Sequence, residues 1–326
     1  MTLLKAIGID CYSGTYISLP MLQAFKSLGG TFVVLKASMG WGNDPAVIKN
    51  ASLVKQANLK LGLYHWSDPT NTADAQAIRF GNLIEQLKPD FASLDNEQWW
   101  SNWDEFWLAS EKKIPWSDVD RAAPATINSV SKSILNSIHT RFPDLWLWHY
   151  TANWFIDAFC PQLLTWINAY PTWLAQYVDA NWTTGLTFVD KQSLEFFVNL
   201  LTAPRLPSGN TDWTSWQVSG RTKLPGIAAR QDFNVFNGDE VEFISNIGHP
   251  VLPPPPPPSQ IVKYVVSNHP YGTQILPQPS WSGMAGTWIA DDAFVNIDES
   301  WTQKVGWAKV ETSGYMDRRR ITKVVV

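Results

Sequence analysis

The sequence lacks what a membrane-spanning, disulfide-stapled or nucleotide-binding protein would need. Its 326 residues contain no run of about 18 apolar residues, so no transmembrane helix and no membrane insertion are expected. There are only two cysteines, Cys11 and Cys160. That is too few for a disulfide framework or a thiolate zinc cage, and leaves one bridge or, as the expectation, two buried thiols. Basic residues are not in excess: 25 Lys and Arg face 29 Asp and Glu, a net charge of −4, which argues against a nucleic-acid partner. H-E-x-x-H, G-x-S-x-G, the Walker loop and G-x-G-x-x-G are all absent. A zincin, a serine nucleophile elbow and a dinucleotide fold are thereby set aside, and neither metal nor cofactor is expected. Met1–Asp10 turns polar too soon for a signal peptide.

What is present is a large apolar fraction, 45%, and 19 tryptophans. These supply either an aromatic core or a surface that stacks on flat ligands such as sugar rings. Pro253–Pro258 are six consecutive prolines, a polyproline II spacer of roughly 19 Å. They divide an acidic part, residues 1–252 with net charge −5, from residues 260–326 with net charge +1. The expected organisation is a domain over 1–250, a linker over 251–259 and a small domain over 260–326.

The first part alternates apolar runs with helical patterns. Strands are predicted at Lys5–Asp10, Thr31–Lys36, Lys60–His65, Asp90–Asp95, Leu145–Tyr150, Thr172–Tyr177, Trp213–Val218 and Ile227–Phe233. Helices are predicted at Leu19–Leu28 after Ser18, Pro45–Ala57 after Asp44, Thr72–Leu87 after Asn71, Asp118–Arg141 and Lys191–Leu201. Eight strands with crossover helices predict an α/β fold, an irregular TIM-like (β/α) barrel whose later strands are poor in helices. Residues 260–326 show no helical pattern. Short runs at Ile261–Ser267, Gly286–Ala290, Ala293–Ile297, Val305–Glu311 and Arg320–Val326, with turns at Gly272, Gly283 and Gly314, predict a small all-β barrel.

In parallel α/β barrels the active site lies at the strand C-termini. Those positions carry Asp10, Tyr64-His65-Trp66, Asp95-Asn96-Glu97, Tyr150, Gln176-Tyr177, Gln217 and Asp232. Four carboxylates, several aromatics and amides therefore converge on one mouth. Tyr64, His65, Trp66, Tyr150, Gln176, Tyr177 and Gln217 are the candidate substrate-contacting residues. His65 reads as a core or substrate-orienting histidine rather than a metal ligand or a base, and His149 is expected to point away if Tyr150 points in. The pair Asp95/Glu97 is the sharpest signal. An i,i+2 spacing on a strand puts both side chains on one face. Two close carboxylates cannot both ionise freely, so one keeps its proton towards neutral pH. Glycoside hydrolysis needs such an acid beside a carboxylate. Asp118/Asp120, expected to open a helix, and Glu240/Glu242, expected on a helix surface, have the same spacing without an apolar strand before them.

Seven ordered segments carry a resemblance: Gly8-Ile-Asp10, Gly62-Leu-Tyr-His65, Leu94-Asp-Asn-Glu97, Tyr150-Thr-Ala, Trp173-Leu-Ala-Gln-Tyr177, Trp216-Gln217 and Asp232-Phe-Asn-Val-Phe236. Together they resemble glycoside hydrolase family 25, the Chalaropsis-type lysozymes, through nearly all of residues 5–245. The resemblance implies cleavage of the β-1,4 bond between N-acetylmuramic acid and N-acetylglucosamine in peptidoglycan, with net retention. It implies Glu97 as general acid/base, and Asp95 as nucleophile or as the group orienting the substrate acetamido. Asp10 and Asp232 would be supporting carboxylates. Two departures stand out: Cys11-Tyr12 replaces the usual Val-Ser, and the stretch from Trp99 to Pro124 is long and Trp-rich. Gly306-Trp-Ala-Lys-Val310 and Gly314-Tyr-Met316 resemble a bacterial Src-homology-3-like (SH3-like) wall-binding domain, which would hold the enzyme on a cell-wall polymer. An inactive wall-glycan-binding barrel, and a glycosidase acting on another polymer, remain as alternatives. With no leader evident, an extracellular wall substrate implies phage-type lysis, carriage on a virion or injection particle, or a non-classical export route.

Overall fold

A computed structural model describes residues 3–178, 185–208, 210 and 212–247, and beyond them the backbone of seven short strands. The chain divides into two compact units, Met1–Leu252 and Pro253–Val326.

The first unit is built on a closed barrel. Its strands are β1 (Ile7–Cys11), β2 (Gly30–Met39), β3 (Gly42–Asn43), β4 (Lys60–Trp66), β5 (Phe91–Asp95), β6 (Trp146–Ala152), β7 (Thr172–Ala175), β8 (Ser215–Thr222) and β9 (Gln231–Phe236). They run in the order β1-β9-β8-β7-β6-β5-β4-β2, and β1 pairs with β2 to close the ring. β3 is a two-residue hairpin partner folded back on β2. The helices are α1 (Leu19–Ser27), α2 (Val47–Gln56), α3 (Ala73–Leu87), α4 (Trp103–Ser110), α5 (Pro124–Arg141), α6 (Asn153–Phe159), α7 (Lys191–Leu200) and α8 (Glu240–Asn246).

Two helix starts follow their caps closely. The Ser18 side chain accepts from the Met21 N–H with Pro20 in the first turn. Asp190 and Ser193 form a reciprocal capping box on α7. Others differ from expectation. Thr72, not Asn71, caps α3. Asp44 accepts from the backbone of Ser13 and Ala46, so it ties a loop and α2 begins two residues later than expected. Asp118 closes a 3₁₀ turn, Trp116–Asp118, and α5 starts only at Pro124. Glu240 and Glu242 lie on the exposed surface of α8 as expected, and Glu242 also caps it by accepting from the Asp239 N–H.

The largest correction concerns the last strand. It is shifted to Gln231–Phe236 and runs antiparallel to both β8 and β1. A parallel strand would need a crossover of about a dozen residues or more, and only residues 223–230 lie between β8 and β9. Asp232 is thus near the start of its strand, not its end. Because that strand is reversed, its start lies at the same rim as Asp10, with which it is in register.

Side chains alternate around the ring, as strand geometry requires. Phe32, Val34, Tyr64, Phe91, Trp146, Trp148, Tyr150, Trp173 and Phe236 face inward and form one cluster with Phe243 of α8. Outward neighbours such as Ile9, Leu35, Leu63, Leu94 and Leu147 join the helices in a second cluster. Gly8 and Gly62 leave room for the interior rings: a Cβ would lie 2.1 Å from the Phe32 ring and 2.4 Å from the Phe91 ring. Cys11 and Cys160 are separate buried thiols.

The second unit is all β where described. β10 (Val262–Val266) pairs antiparallel with β13 (Phe294–Val295) and β16 (Ile321–Val325). β11 (Thr273–Ile275) pairs with β12 (Thr287–Ile289), and β14 (Trp307–Val310) with β15 (Gly314–Asp317). Gly314, expected in a turn, begins β15. The proline run and the turns at Gly272 and Gly283 lie outside the described residues.

Phe243 closes the barrel interior from α8. It stacks on Phe32 at 4.7 Å and meets Phe236 at 5.1 Å and Phe91 and Trp146 at 5.6 Å. Truncating a fully buried ring of this size leaves a cavity, so Phe243→Ala is expected to cost about 3–5 kcal/mol in denaturant unfolding.

Candidate active site

The mouth of the barrel holds a cavity of about 240 Å³. Asp10, Tyr12, Lys36, Tyr64, Trp66, Asp95, Glu97, Tyr150, Trp173, Tyr177, Gln217 and Asp232 line it. All four expected carboxyls are therefore brought together, along with Tyr64, Trp66, Tyr150, Tyr177 and Gln217. Two expected contacts are not. His65 is fully buried on the outer side of β4, between the Ser38 hydroxyl at 2.8 Å and the Gln76 amide oxygen at 3.0 Å. Strand parity explains it: a face that shows Tyr64 and Trp66 to the mouth must turn His65 to the helices. Gln176 lies past the end of β7, where its side-chain oxygen accepts from the Arg205 N–H at 2.5 Å and ties down a loop. Lys36, Tyr12 and Trp173 join the lining without having been among the residues expected there. Lys36 ends the inward row Phe32-Val34-Lys36 of β2, so strand parity alone would have flagged it.

Asp10 sits at the centre of a polar web. One oxygen accepts from Gln217 at 2.9 Å and from Asn234 at 2.8 Å. Gln217 in turn accepts from the hydroxyls of Tyr150 at 3.0 Å and Tyr177 at 3.1 Å. Asp10 and Asp232 also share a hydrogen bond. Burial, then the charge of Asp10, pushes Asp232 up to about 9. Asp232 therefore keeps its proton at neutral pH and donates it to Asp10.

Asp95 and Glu97 face the same cavity. Burial raises both, with the Glu97 charge adding to the rise of Asp95, and Glu97 reaches about 7. Lys36 opposes these rises. Its ammonium lies 4.4 Å over the Trp66 ring, and burial lowers its own proton affinity. Trp66 is held by its indole N–H, which donates to Gln98 at 3.0 Å. One oxygen of Asp95, Oδ1, is buried with no hydrogen-bond partner among the described residues.

Asn96, between the two carboxyls, points outward into a clamp. Its side chain bonds to the Ser131 hydroxyl and to His149 Nε2. Its N–H donates to the Tyr150 carbonyl at 2.9 Å, and the Thr151 hydroxyl donates to its carbonyl at 3.0 Å. Burial depresses His149 to about 3, so the ring is neutral and accepts from the Asn96 amide. As expected from the inward Tyr150, His149 faces away from the mouth. The clamp fixes the backbone that carries Asp95 and Glu97.

A closed β/α barrel with paired carboxyls among aromatic rings is the kind of cleft glycoside hydrolases use. Residues 9–227 match the model of glycosyl hydrolases family 25, and the chain belongs to that family. It is 25% identical over 213 residues to an uncharacterized protein, YegX, of Escherichia coli O157:H7, a match covering 65% of this chain and 61% of that protein. The YegX of strain K12 is 25% identical over 209 residues, 64% and 59% of the two chains. The chain thus spans about three fifths of the length of these curated relatives. Among solved structures it resembles a muramidase from Acremonium alcalophilum, with TM-score 0.53 and 17% identity over 75% of this chain and 99% of the other. It also resembles a bacterial lysozyme from Streptomyces coelicolor, with TM-score 0.51 and 19% identity over 75% and 97%. At these identities the likeness is one of fold.

The buried titratable groups set opposing pH dependences of stability. Glu97 binds its proton more tightly folded, about 7, than at its ordinary 4.5. The stability tied to that proton is complete below about 4.5 and is lost as pH rises through 7. His65 and His149, held down to about 4 and 3, act the other way and lose stability as pH falls from 6.5. Glu97→Gln is therefore expected to raise stability at pH 8 by roughly 1–3 kcal/mol and to leave it little changed at pH 4, read by thermal unfolding at both values.

Proposed function

We propose that the chain is a peptidoglycan hydrolase, an N-acetylmuramidase that cleaves the β-1,4 bond between N-acetylmuramic acid and N-acetylglucosamine with net retention. The observation that carries this is Glu97, with a proton affinity near neutrality, facing the same cavity as the unpartnered oxygen of Asp95. Membership of family 25 supports the bond class. Glu97 donates its proton to the leaving glycosidic oxygen and later withdraws one from water. Asp95 stands behind the anomeric centre, either bonding to it or accepting the N–H of the substrate acetamido at Oδ1. Asp10, fixed by Gln217, Asn234 and Asp232, supports the developing positive charge. Lys36 keeps the carboxyl cluster from taking up more protons than the reaction allows. Tyr64, Trp66, Tyr150 and Tyr177 flank the sugar.

The proposal extends to the rest of the chain. Residues 260–326 act as an SH3-like module on a wall polymer and raise the local substrate concentration across the linker. The site of action is the bacterial wall, reached by phage-type lysis or on a particle.

Reducing-end release from purified peptidoglycan, with mass spectrometry of borohydride-reduced products, tests the reaction. Wild type is expected to give ends in reduced muramic acid, and Glu97→Gln to lose about a hundred- to ten-thousandfold in rate. Binding of walls with no release by wild type would instead indicate an inactive glycan-binding barrel. The alkaline limb of the pH–rate profile is expected near 7, where Glu97 loses its proton. Lys36→Met removes a cation that favours ionised Glu97, so this limb is expected to move up by about one pH unit.

A further inference from the structure

Four tryptophans among the described residues, Trp41, Trp107, Trp116 and Trp154, are at least half exposed. Scattered surface aromatics are ordinary, but these are not scattered. Each follows the mouth end of a barrel strand: Trp41 after β2, Trp107 and Trp116 after β5, Trp154 after β6. The base of the barrel shows no exposed tryptophan among the described residues.

The stretch after β5 is the most developed. Residues 99–122 form a closed loop, tied at its neck by the Ala122 N–H donating to the Trp99 carbonyl at 2.8 Å and the Ser101 N–H to Asp120 at 2.9 Å. The loop has its own small core of Trp100, Ala109 and Val119, with Phe106 stacked on Trp100 at 3.9 Å. The fully buried carboxylate of Asp68 anchors it, accepting from Gln98 at 2.8 Å and from the Trp103 indole at 3.1 Å. Ring contacts run unbroken from the cavity outward. Trp66, in the cavity lining, meets Trp100 at 6.1 Å, and Trp100 meets Trp103 at 5.3 Å. Trp103 meets Trp107 at 6.1 Å, while Phe106 touches both Trp107 at 5.3 Å and Trp116 at 5.6 Å.

We propose that this loop is a second glycan-binding site, a rigid aromatic platform continuous with the cavity. It takes sugar rings of the same strand beyond those being cleaved, by stacking on Trp107 and Trp116. The inference rests on the muramidase reading and adds where the polymer lies. Its chemistry follows from the surface. Residues 99–123 carry five acidic and three basic side chains, which disfavours nucleic acid and anionic lipid. Exposed indoles on a pre-ordered loop suit the apolar faces of neutral sugar rings, and the loop's own core means little ordering cost on binding. The enzyme thereby favours long strands over short fragments.

The test uses the full chain with Glu97→Gln, so that ligand survives, and soluble uncrosslinked glycan strands in titration calorimetry. Affinity is expected to rise from a two-disaccharide fragment to long strands. Adding Trp107→Ala with Trp116→Ala is expected to remove about tenfold of that gain, and Trp107→Phe with Trp116→Phe to keep most of it. The same length dependence in the alanine pair, with wild type still releasing reducing ends, overturns the platform and leaves the muramidase reading intact. Length-dependent binding at the two tryptophans with no release by wild type sustains the platform and sinks the cleavage reading.

Discussion

Burying four carboxyl groups around one lysine costs free energy, and the barrel is organised around meeting that cost. Full ionisation of Asp10, Asp95, Glu97 and Asp232 would place four negative charges in a cavity of about 240 Å³ with Lys36 as the cation on its wall. The cluster responds by keeping protons. Asp232 keeps one towards pH 9 and hands it to Asp10 as a hydrogen bond; Glu97 holds one towards pH 7, and burial beside Glu97 raises Asp95 above the usual carboxylate range. What remains is offset by the aromatic interior directly beneath, where Trp148, Phe91, Phe32 and Phe243 pack at ring distances between 4.3 and 6.2 Å. The same ring layer excludes water from below, which is what raises the carboxyls in the first place.

A single alternation of strand faces divides the work. Inward residues at the rim hold the chemistry, and outward residues at the same height hold the geometry. Asp95 and Glu97 face the cavity while Asn96 is gripped by Ser131 and His149. Tyr64 and Trp66 face it while His65 is fixed between Ser38 and Gln76. The two histidines are neutral spacers, kept from charging by burial, and they belong to the scaffold.

Much of this was legible in the sequence because a strand's period is two. The Asp95/Glu97 pair, the ring of polar residues at strand ends and the barrel class all follow from short apolar runs and what ends them. The failures have physical reasons. Adjacency groups His65 with Tyr64 and Trp66, although parity sends it to the other face. Lys36 closes an apolar run, which hides its place at the mouth. Gln176 lies where the chain leaves the strand and its amide serves a loop. The direction of β9 is invisible to hydrophobic pattern, which is the same read forwards or backwards; only the short residue count between β8 and β9 betrays it. Asp118 resembles a cap in sequence, while the aromatic loop before Pro124 is ordered by its own core and delays the start of α5.

The closure of the ring has a consequence for how the molecule is made. β1 is the first strand, and its partner β9 is more than two hundred positions later. During synthesis β1 can pair with β2 early, but its other edge stays open until residue 236 has left the ribosome. The half-made barrel therefore exposes two unpaired strand edges for nearly the whole of its translation, with rings such as Phe91 and Trp148 uncovered between them. The polar rim residue Asp10 lies on the open edge of β1, and a charged edge discourages pairing with a neighbouring chain while the true partner is awaited.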